Sequence, residues 1–301
     1  MRRSPQVGWL SGGRLHLQDG PIDLIIEAQG SKTSLRGAYE AAIGRFTGLL
    51  DELCDELPLL RQAADPQKCL LKGVVACRMH TAVAPFAADH FITPMAAVAG
   101  SVAEEILGAM LHGARLDRAY VNNGGDIALH LSEGEQFTIG VMDRPDRFGL
   151  IRTMVIDAGD PSRGVATSGR HGRSFSLGIA DAVTVLAHTA AQADAAATII
   201  ANAVDLPGHP AIVRCPACEL QPDSDLGNRL VTRDVAALQQ SEIDAALSSG
   251  GEKARALLSA GLIDEAVLHL QGERRVIALK RFDASVSARP RSAIIESLNH
   301  A

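Results

Sequence analysis

The stretch from Gly164 to Val204 constrains this chain more than any other. It opens with Gly164-Val165-Ala166-Thr167-Ser168-Gly169, a small hydroxyl-bearing loop with nothing bulky to keep a ligand away. Ala182 to Ala187 follows, with the β-branched content of a buried strand. Thr189 then opens a segment of Ala, Ile and Val interrupted by Gln192, Asp194, Thr198 and Asn202. A threonine hydroxyl can accept a free backbone N–H at a helix start, and the alanines favour helix and close backbone approach. Asp194 and Thr198 are four apart and share one face, and Asn202 continues the line. A carboxylate in an otherwise apolar helix requires a partner, and a hard cation such as Mg²⁺, which takes oxygen ligands, would satisfy both side chains. The same spacing also fits a solvent-facing Asp and a Thr bonded back to the preceding turn.

Along the rest of the chain, Trp9 to Glu27 reads as a β-hairpin: Leu15, Leu17, Ile22, Leu24 and Ile26 fall on one face around the turn Asp19-Gly20-Pro21. Apolar residues at helical spacing from Ser34 to about Gln62 predict one long amphipathic helix, strained near Pro58. Cys69 to Met79 reads as a strand. Thr93-Pro94 starts a further helix, with Met95, Val98, Val102, Ile106 and Met110 as its apolar stripe. Ala119-Tyr120-Val121 leads as a strand into Asn122-Asn123-Gly124-Gly125-Asp126, a turn in which glycine permits positive φ and close approach to a ligand. As a bare pattern it is equally a plain hairpin corner. Ile127 to Leu131 and Phe137 to Met142 read as a hairpin. After Val204 a loop region carries Cys215-Pro216-Ala217-Cys218 and Asp223-Ser224-Asp225. Two short helices, Ser241 to Leu247 and Glu252 to Ala260, and a hairpin from Ala266 to Leu279 follow, with a frayed polar end after Arg281. Strands grouped as hairpins between helices predict an α+β fold with largely antiparallel sheets.

Composition narrows the function classes. Aromatic residues are only 3% of 301, so stacking platforms for nucleic acid are not expected. A net charge of -6 argues equally against a polyanion or anionic-membrane surface. No apolar run approaches the roughly twenty residues that span a bilayer. Arg2 and Arg3 are not followed by the apolar core of a secretory signal, and five cysteines fit reduced thiols, so a cytoplasmic protein is expected. Cys215 and Cys218 offer two thiolates; a closed zinc site would need Cys69 and Cys77 beside them. His80 and His90 read as ordinary loop or core histidines.

Ala193-Asp194-Ala195-Ala196-Ala197-Thr198 resembles the A-D-x-x-x-T metal motif of the ApbE-like family, flavin transferases that attach FMN to proteins using FAD and Mg²⁺. Ala166-Thr167-Ser168-Gly169 resembles that family's A-T-S-G loop, and Asn123-Gly124-Gly125-Asp126 its N-x-G-G-D turn. The three occur in the family's order, within about residues 90 to 205. The resemblance implies one ApbE-like domain over 1–301 built of duplicated antiparallel sheet and helix units, with 206–280 as its C-terminal extension. It implies a flavin nucleotide (FAD or FMN) and Mg²⁺, the ion held by Asp194, Thr198 and the backbone carbonyl of Ala96, the flavin nucleotide lined by Asn123, Gly124, Gly125, Asp126, Ala166, Thr167, Ser168 and Gly169. A protein acceptor is implied but not identified, and a homo-oligomer is left open.

Two departures stand out. Ala99 occupies the place of a family lysine, and the family's H-x-x-D-P-x-T-G segment is missing. His171 is the only histidine available locally to act as general base, with Arg170 or Arg173 restoring positive charge near phosphate; alternatively all three belong to an exposed, flexible connection. The shortened segment resembles a branch of the superfamily that shares Thr93 to Gly100 and Asp223-Ser224-Asp225-Leu226-Gly227. Three readings follow: an enzyme acting at the FAD pyrophosphate, a non-catalytic flavin or nucleotide binder, and a structural relic of the fold.

Overall fold

Strict alternation of buried and half-open side chains builds the first part of the sheet. In β2 (Arg14–Asp19) Leu15, Leu17 and Asp19 are buried, and in β3 (Ile22–Gln29) Ile22, Leu24, Ile26 and Ala28 are, so one face of each strand is apolar. The computed structural model describes residues 5–144, 147–278 and 294–296. β1 (Gln6–Leu10) adds to β2, which makes the expected hairpin a three-stranded meander.

The region read as one long helix is three. α1 (Lys32–Phe46) and α2 (Leu49–Asp55) are separated at Gly48, where φ of 85° takes the backbone out of the helix, and α2 and α3 (Leu57–Leu60) at Glu56. The segment read as a strand from Cys69 is instead α4 (Val74–Val83). Its buried Val75, Met79 and Val83, and Ala76 and His80, recur every four residues, a helical spacing hidden within a short apolar run. A 3₁₀ turn at Pro94–Ala97 leads into α5 (Val98–Gly113), then β4 (Arg118–Asn123) and β5 (Asp126–Leu131). The helical stretch Pro94–Gly113 is long and apolar enough to cross a membrane by composition, with mean hydropathy 1.3. Here it packs on the sheet, and its Glu104 and Glu105 are paired with Arg78 and Arg45.

β6 (Gln136–Arg144) does not pair with β5 as expected. It pairs with β7 (Arg147–Asp157) in a separate sheet whose third strand, β14 (Ile294–Glu296), runs parallel to β6. Those three are the described residues after Arg281; the remainder of the end expected to fray lies outside the described residues. β8 (Gly164–Ser168), β9 (Ala182–Ala187) and α6 (Ala190–Ala203) follow, with Thr189 capping α6 through the Gln192 N–H at 3.2 Å, as the sequence predicts. The hydroxyl-bearing segment is thus a strand end rather than a loop.

The region read as loop after Val204 holds β10 (Ile212–Pro216), α7 (Ala217–Leu220) and β11 (Leu230–Val235), with β10 and β11 paired antiparallel. α8 (Gln240–Ser259) runs unbroken through Gly250 and Gly251, where two helices were expected. A methyl group on Gly250 would lie 2.3 Å from Val204, so the glycine admits a close helix contact and does not punctuate. β12 (Glu265–Leu270) and β13 (Glu273–Ala278) form the expected hairpin.

The principal sheet has nine strands in the order β1-β2-β3-β4-β5-β8-β9-β12-β13, every neighbour antiparallel. After β1, the same unit occurs twice: two strands, intervening helices, two strands, as β2-β3/α1–α5/β4-β5 and β8-β9/α6–α8/β12-β13. Each unit has its own apolar cluster between sheet and helices. β6 and β7 cover part of the opposite face through Phe137, Ile139, Met154 and Ile156. The duplicated α+β architecture stands as expected, although no repeat is visible in the residues.

Candidate functional site

The two units meet where β5 lies beside β8, and the motif residues gather at that seam. α6 is buried nearly all round; Gln192, Asp194, Thr198 and Asn202 are among its few half-open side chains. Asp194 Oδ2 accepts the Gly100 N–H at 3.0 Å, at the start of α5. A carboxylate facing the free N–H groups of a helix start is favourably placed. The approach is tight, since a methyl group on Gly100 would lie 2.3 Å from the Ala190 carbonyl oxygen. Glycine at 100 is therefore what lets α5 come down onto α6.

Asn123 and Asp126 pair across a two-residue hairpin turn, with Gly124 at φ 64° and Gly125 at φ 109°. The hairpin-corner geometry is real, and the corner is also built into the site. Asn122 Oδ1 accepts the Gly125 N–H at 2.8 Å, and Asn123 Nδ2 donates to the Ala99 carbonyl at 3.1 Å, tying the turn to the start of α5. Asp126 Oδ1 accepts the Thr167 N–H at 3.2 Å from β8.

Asp126 and Asp194 are therefore neighbours. Burial, then the Asp194 charge, pushes the Asp126 carboxyl well above the usual range, against the opposing Thr167 N–H. Burial likewise raises Asp194 to about 7, although the Gly100 and Ala99 N–H groups work in the other direction. Both residues keep part of their surface open. Thr198, one turn along, and Ala96, in the 3₁₀ turn, are also half-buried. Among the described residues no three of His, Cys, Asp and Glu converge on one point. Any cation here would be held by two carboxylates with hydroxyl or carbonyl oxygens, a set that suits Mg²⁺ and not zinc. The four cysteines considered for zinc do not come together.

The A-T-S-G segment divides between the sheet faces. Alternation puts Ala166 and Ser168 on the helix side with Asp194, and Thr167 on the other, where its hydroxyl meets Thr184 Oγ1 at 2.9 Å. Only the Thr167 backbone reaches the acidic pair. Gly169, buried, turns the chain out of β8.

The segment 169–181 is held at several points. The Arg170 N–H donates to Ala180 at 2.9 Å, Leu177 N–H to Asn202 Oδ1 at 3.0 Å and Ile179 N–H to Val204 at 2.8 Å. Asp181, 6% exposed, accepts Arg170 Nη2 at 2.6 Å and lies 3.2 Å from His171 Nε2. The described geometry is thus not a free connection at 170 and 171, which are half-buried and anchored. Arg173 is exposed, with its guanidinium over Gly124, 3.5 Å from where a methyl group would sit. Asp181 escaped the sequence reading because it stands one residue before the apolar run Ala182 to Ala187; a lone Asp leading a buried strand was the available signal.

The two further shared segments also meet. Thr93, 2% exposed, donates its hydroxyl to Asp225 Oδ2 at 2.5 Å, Arg61 pairs with Asp223 at 2.8 Å, and Arg229 lies 3.1 Å over the Phe91 ring. His80 and His90 are engaged by the Asp65 carbonyl and by Lys253, as ordinary structural histidines.

Known proteins resemble this chain in sequence and in structure. A family model described as AbpE bacteria matches residues 7–276. The UPF0280 protein of Methanopyrus kandleri is 39% identical over 183 residues, covering 60% of this chain and 69% of that protein. The UPF0280 protein of Methanothermobacter thermautotrophicus is 39% identical over 118 residues, covering 38% of this chain and 44% of that protein, so the match spans less than half of that relative. Among solved structures, the ApbE protein of Thermotoga maritima is similar at 12% identity and TM-score 0.46, over 91% of this chain and 96% of that one. The flavin transferase ApbE of Vibrio cholerae is similar at 12% identity and TM-score 0.44, over 92% and 98%. With its family match running almost end to end, the chain belongs to the AbpE family of bacteria, and through it to the ApbE-like superfamily.

Proposed function

We propose that this protein binds a flavin nucleotide together with Mg²⁺ at the seam of its two units, and acts at the FAD pyrophosphate. The observation that carries the reading is the facing pair Asp126 and Asp194, two crowded carboxylates whose described hydrogen bonds come from backbone N–H groups. Like charges so placed either share a proton or hold a cation. Asp194, Asp126 and Thr198, with the Ala96 carbonyl, would hold the ion. Asp126, assigned by resemblance to the flavin-binding turn, thereby joins the metal ligands. A bound divalent ion polarises phosphoryl oxygens and neutralises charge on a leaving phosphate.

The chain's own residues would do the rest. Arg173, over the Gly124 turn, would supply a cation near phosphate where the family has a lysine and this chain has Ala99. Ser168 lies on the same sheet face as Asp194. His171 is the candidate base, held at Nε2 by Asp181.

That anchoring also favours a second reading, a non-catalytic flavin binder in which Arg170, His171 and Asp181 are a structural clamp. One experiment separates the two. Purified protein is incubated with FAD and Mg²⁺, bound flavin is read by absorbance, and FMN and AMP are sought by chromatography. Release of both supports catalysis, binding without release supports the second reading, and absence of Mg²⁺-dependent binding refutes both.

A further inference from the structure

Apart from the flavin reading, the entrance to α4 holds a second reactive group. Cys77, on the first turns of α4, donates its thiol to the Leu71 carbonyl oxygen at 3.2 Å. Cys69 Sγ lies 4.0 Å from that same oxygen, which places the two thiols beside one another. The chain between them is folded back on itself, because Glu56 accepts the Lys72 and Gly73 N–H groups at 2.7 Å each. Cys69 is exposed and Cys77 half-buried. The other cysteines are placed differently: Cys54 is exposed on α2, and Cys218 donates to Asn228 Oδ1 at 3.1 Å.

We propose that Cys69 and Cys77 are an oxidation site that forms a reversible intrachain disulfide. With both sulfurs gathered on one carbonyl oxygen, a disulfide of ordinary geometry requires the two side chains to turn toward each other. With hydrogen peroxide as oxidant, the exposed Cys69 thiolate attacks a peroxide oxygen. The S–O bond forms, the O–O bond breaks, and the departing hydroxide takes a proton to leave as water. The Cys77 sulfur then attacks the Cys69 sulfenic sulfur, the S–S bond forms, and a second water leaves. Two thiols and one peroxide thus yield one disulfide and two waters. Burial, and after it the neighbouring Cys69, pushes the Cys77 thiol up, so Cys77 holds its proton and Cys69 is the first to react. The closed ring would fasten the 69–73 turn to α4, whose Arg78 clasps the Ser101 carbonyl and Glu105 on α5.

The test uses the full chain, reduced and then treated with stoichiometric hydrogen peroxide, followed by trypsin digestion and mass spectrometry without reductant. The expected product joins peptide 69–72 to peptide 73–78, lighter by two hydrogens and separable by dithiothreitol. In Cys77→Ser, Cys69 is expected to be captured as the sulfenic acid by dimedone, while Cys69→Ser leaves Cys77 a thiol. A disulfide confined to Cys215 and Cys218, first oxidation at Cys54, or over-oxidation of Cys69 with no linked peptide would each overturn the proposal.

Discussion

Two acidic corners of this molecule are built from the same side chain and solved in opposite ways. At the entrance to β9, Asp181 is met by the Arg170 guanidinium, the His171 ring and the Gln271 N–H. At the seam, Asp126 and Asp194 face each other with backbone N–H groups as their described hydrogen-bond donors. The first corner brings its own cation, Arg170, and burial is compensated within the chain. The second concentrates negative charge and leaves it to be neutralised by a proton or by something bound. A saturated carboxylate is a clamp; an unsaturated pair has chemistry left to do.

The same substitution should therefore have opposite signs at the two corners. Asp181→Asn strips the counter-charge from Arg170 and the carboxylate partner from His171, and is expected to destabilise the protein by about 3 kcal/mol in urea unfolding. Asp126→Asn relieves like-charge repulsion and is expected to stabilise the metal-free protein by roughly 1–2 kcal/mol at pH 8, while weakening Mg²⁺ at least about 100-fold in calorimetric titration. A loss of stability in both variants would show that the seam pair is as compensated as the clamp.

Solution pH sharpens the contrast. Asp194, raised to about 7, holds its proton in the folded protein over a window in which the unfolded chain, with an ordinary carboxyl near 3.8, has released it. The folded state binds more protons there, so the pair's contribution favours folding at low pH and weakens as pH rises from about 4 to about 7. On the proposed reading Mg²⁺ would displace that proton, so its affinity should climb over the upper part of the window and level off above it. Asp194→Asn should flatten both curves. Persistence of the pH-dependent Mg²⁺ affinity in that variant would remove Asp194 from the site.

How much of this was legible before folding depends on whether the signal was local. The Thr189 cap, β9, α6 and the Asp194–Thr198–Asn202 line were readable because a helix fixes neighbours at four residues. The pairing of Asp126 with Asp194 was not, because it arises from β5 meeting β8 and α6 lying across them, contacts between residues 68 positions apart in the sequence. Gly100 illustrates the same limit. It looks like one more small residue in Ala96 to Gly100, and only the Ala190 carbonyl at 2.3 Å from a would-be methyl group explains it. Short apolar runs failed for a different reason: Cys69 to Met79 fits a strand or a buried helix equally until its packing partners are known.

The smallest expected effect concerns the link between Thr93 and Asp225, which ties the 221–229 segment to the turn that enters α5. Thr93 accepts the Ala96 N–H through its carbonyl at 3.1 Å, so its hydroxyl bond to Asp225 fixes the residues immediately before the N–H groups that meet Asp194. Thr93→Val keeps the shape and removes the donor, and is expected to cost about 1 kcal/mol of stability. If the link positions the metal corner, Mg²⁺ affinity should fall several-fold in Thr93→Val and return in Thr93→Ser, while Asp181→Asn leaves that affinity unchanged at temperatures where it stays folded. An equal loss of affinity in Asp181→Asn would mean that the two corners respond together to general loosening, and the distinction between clamp and binding pair would no longer hold.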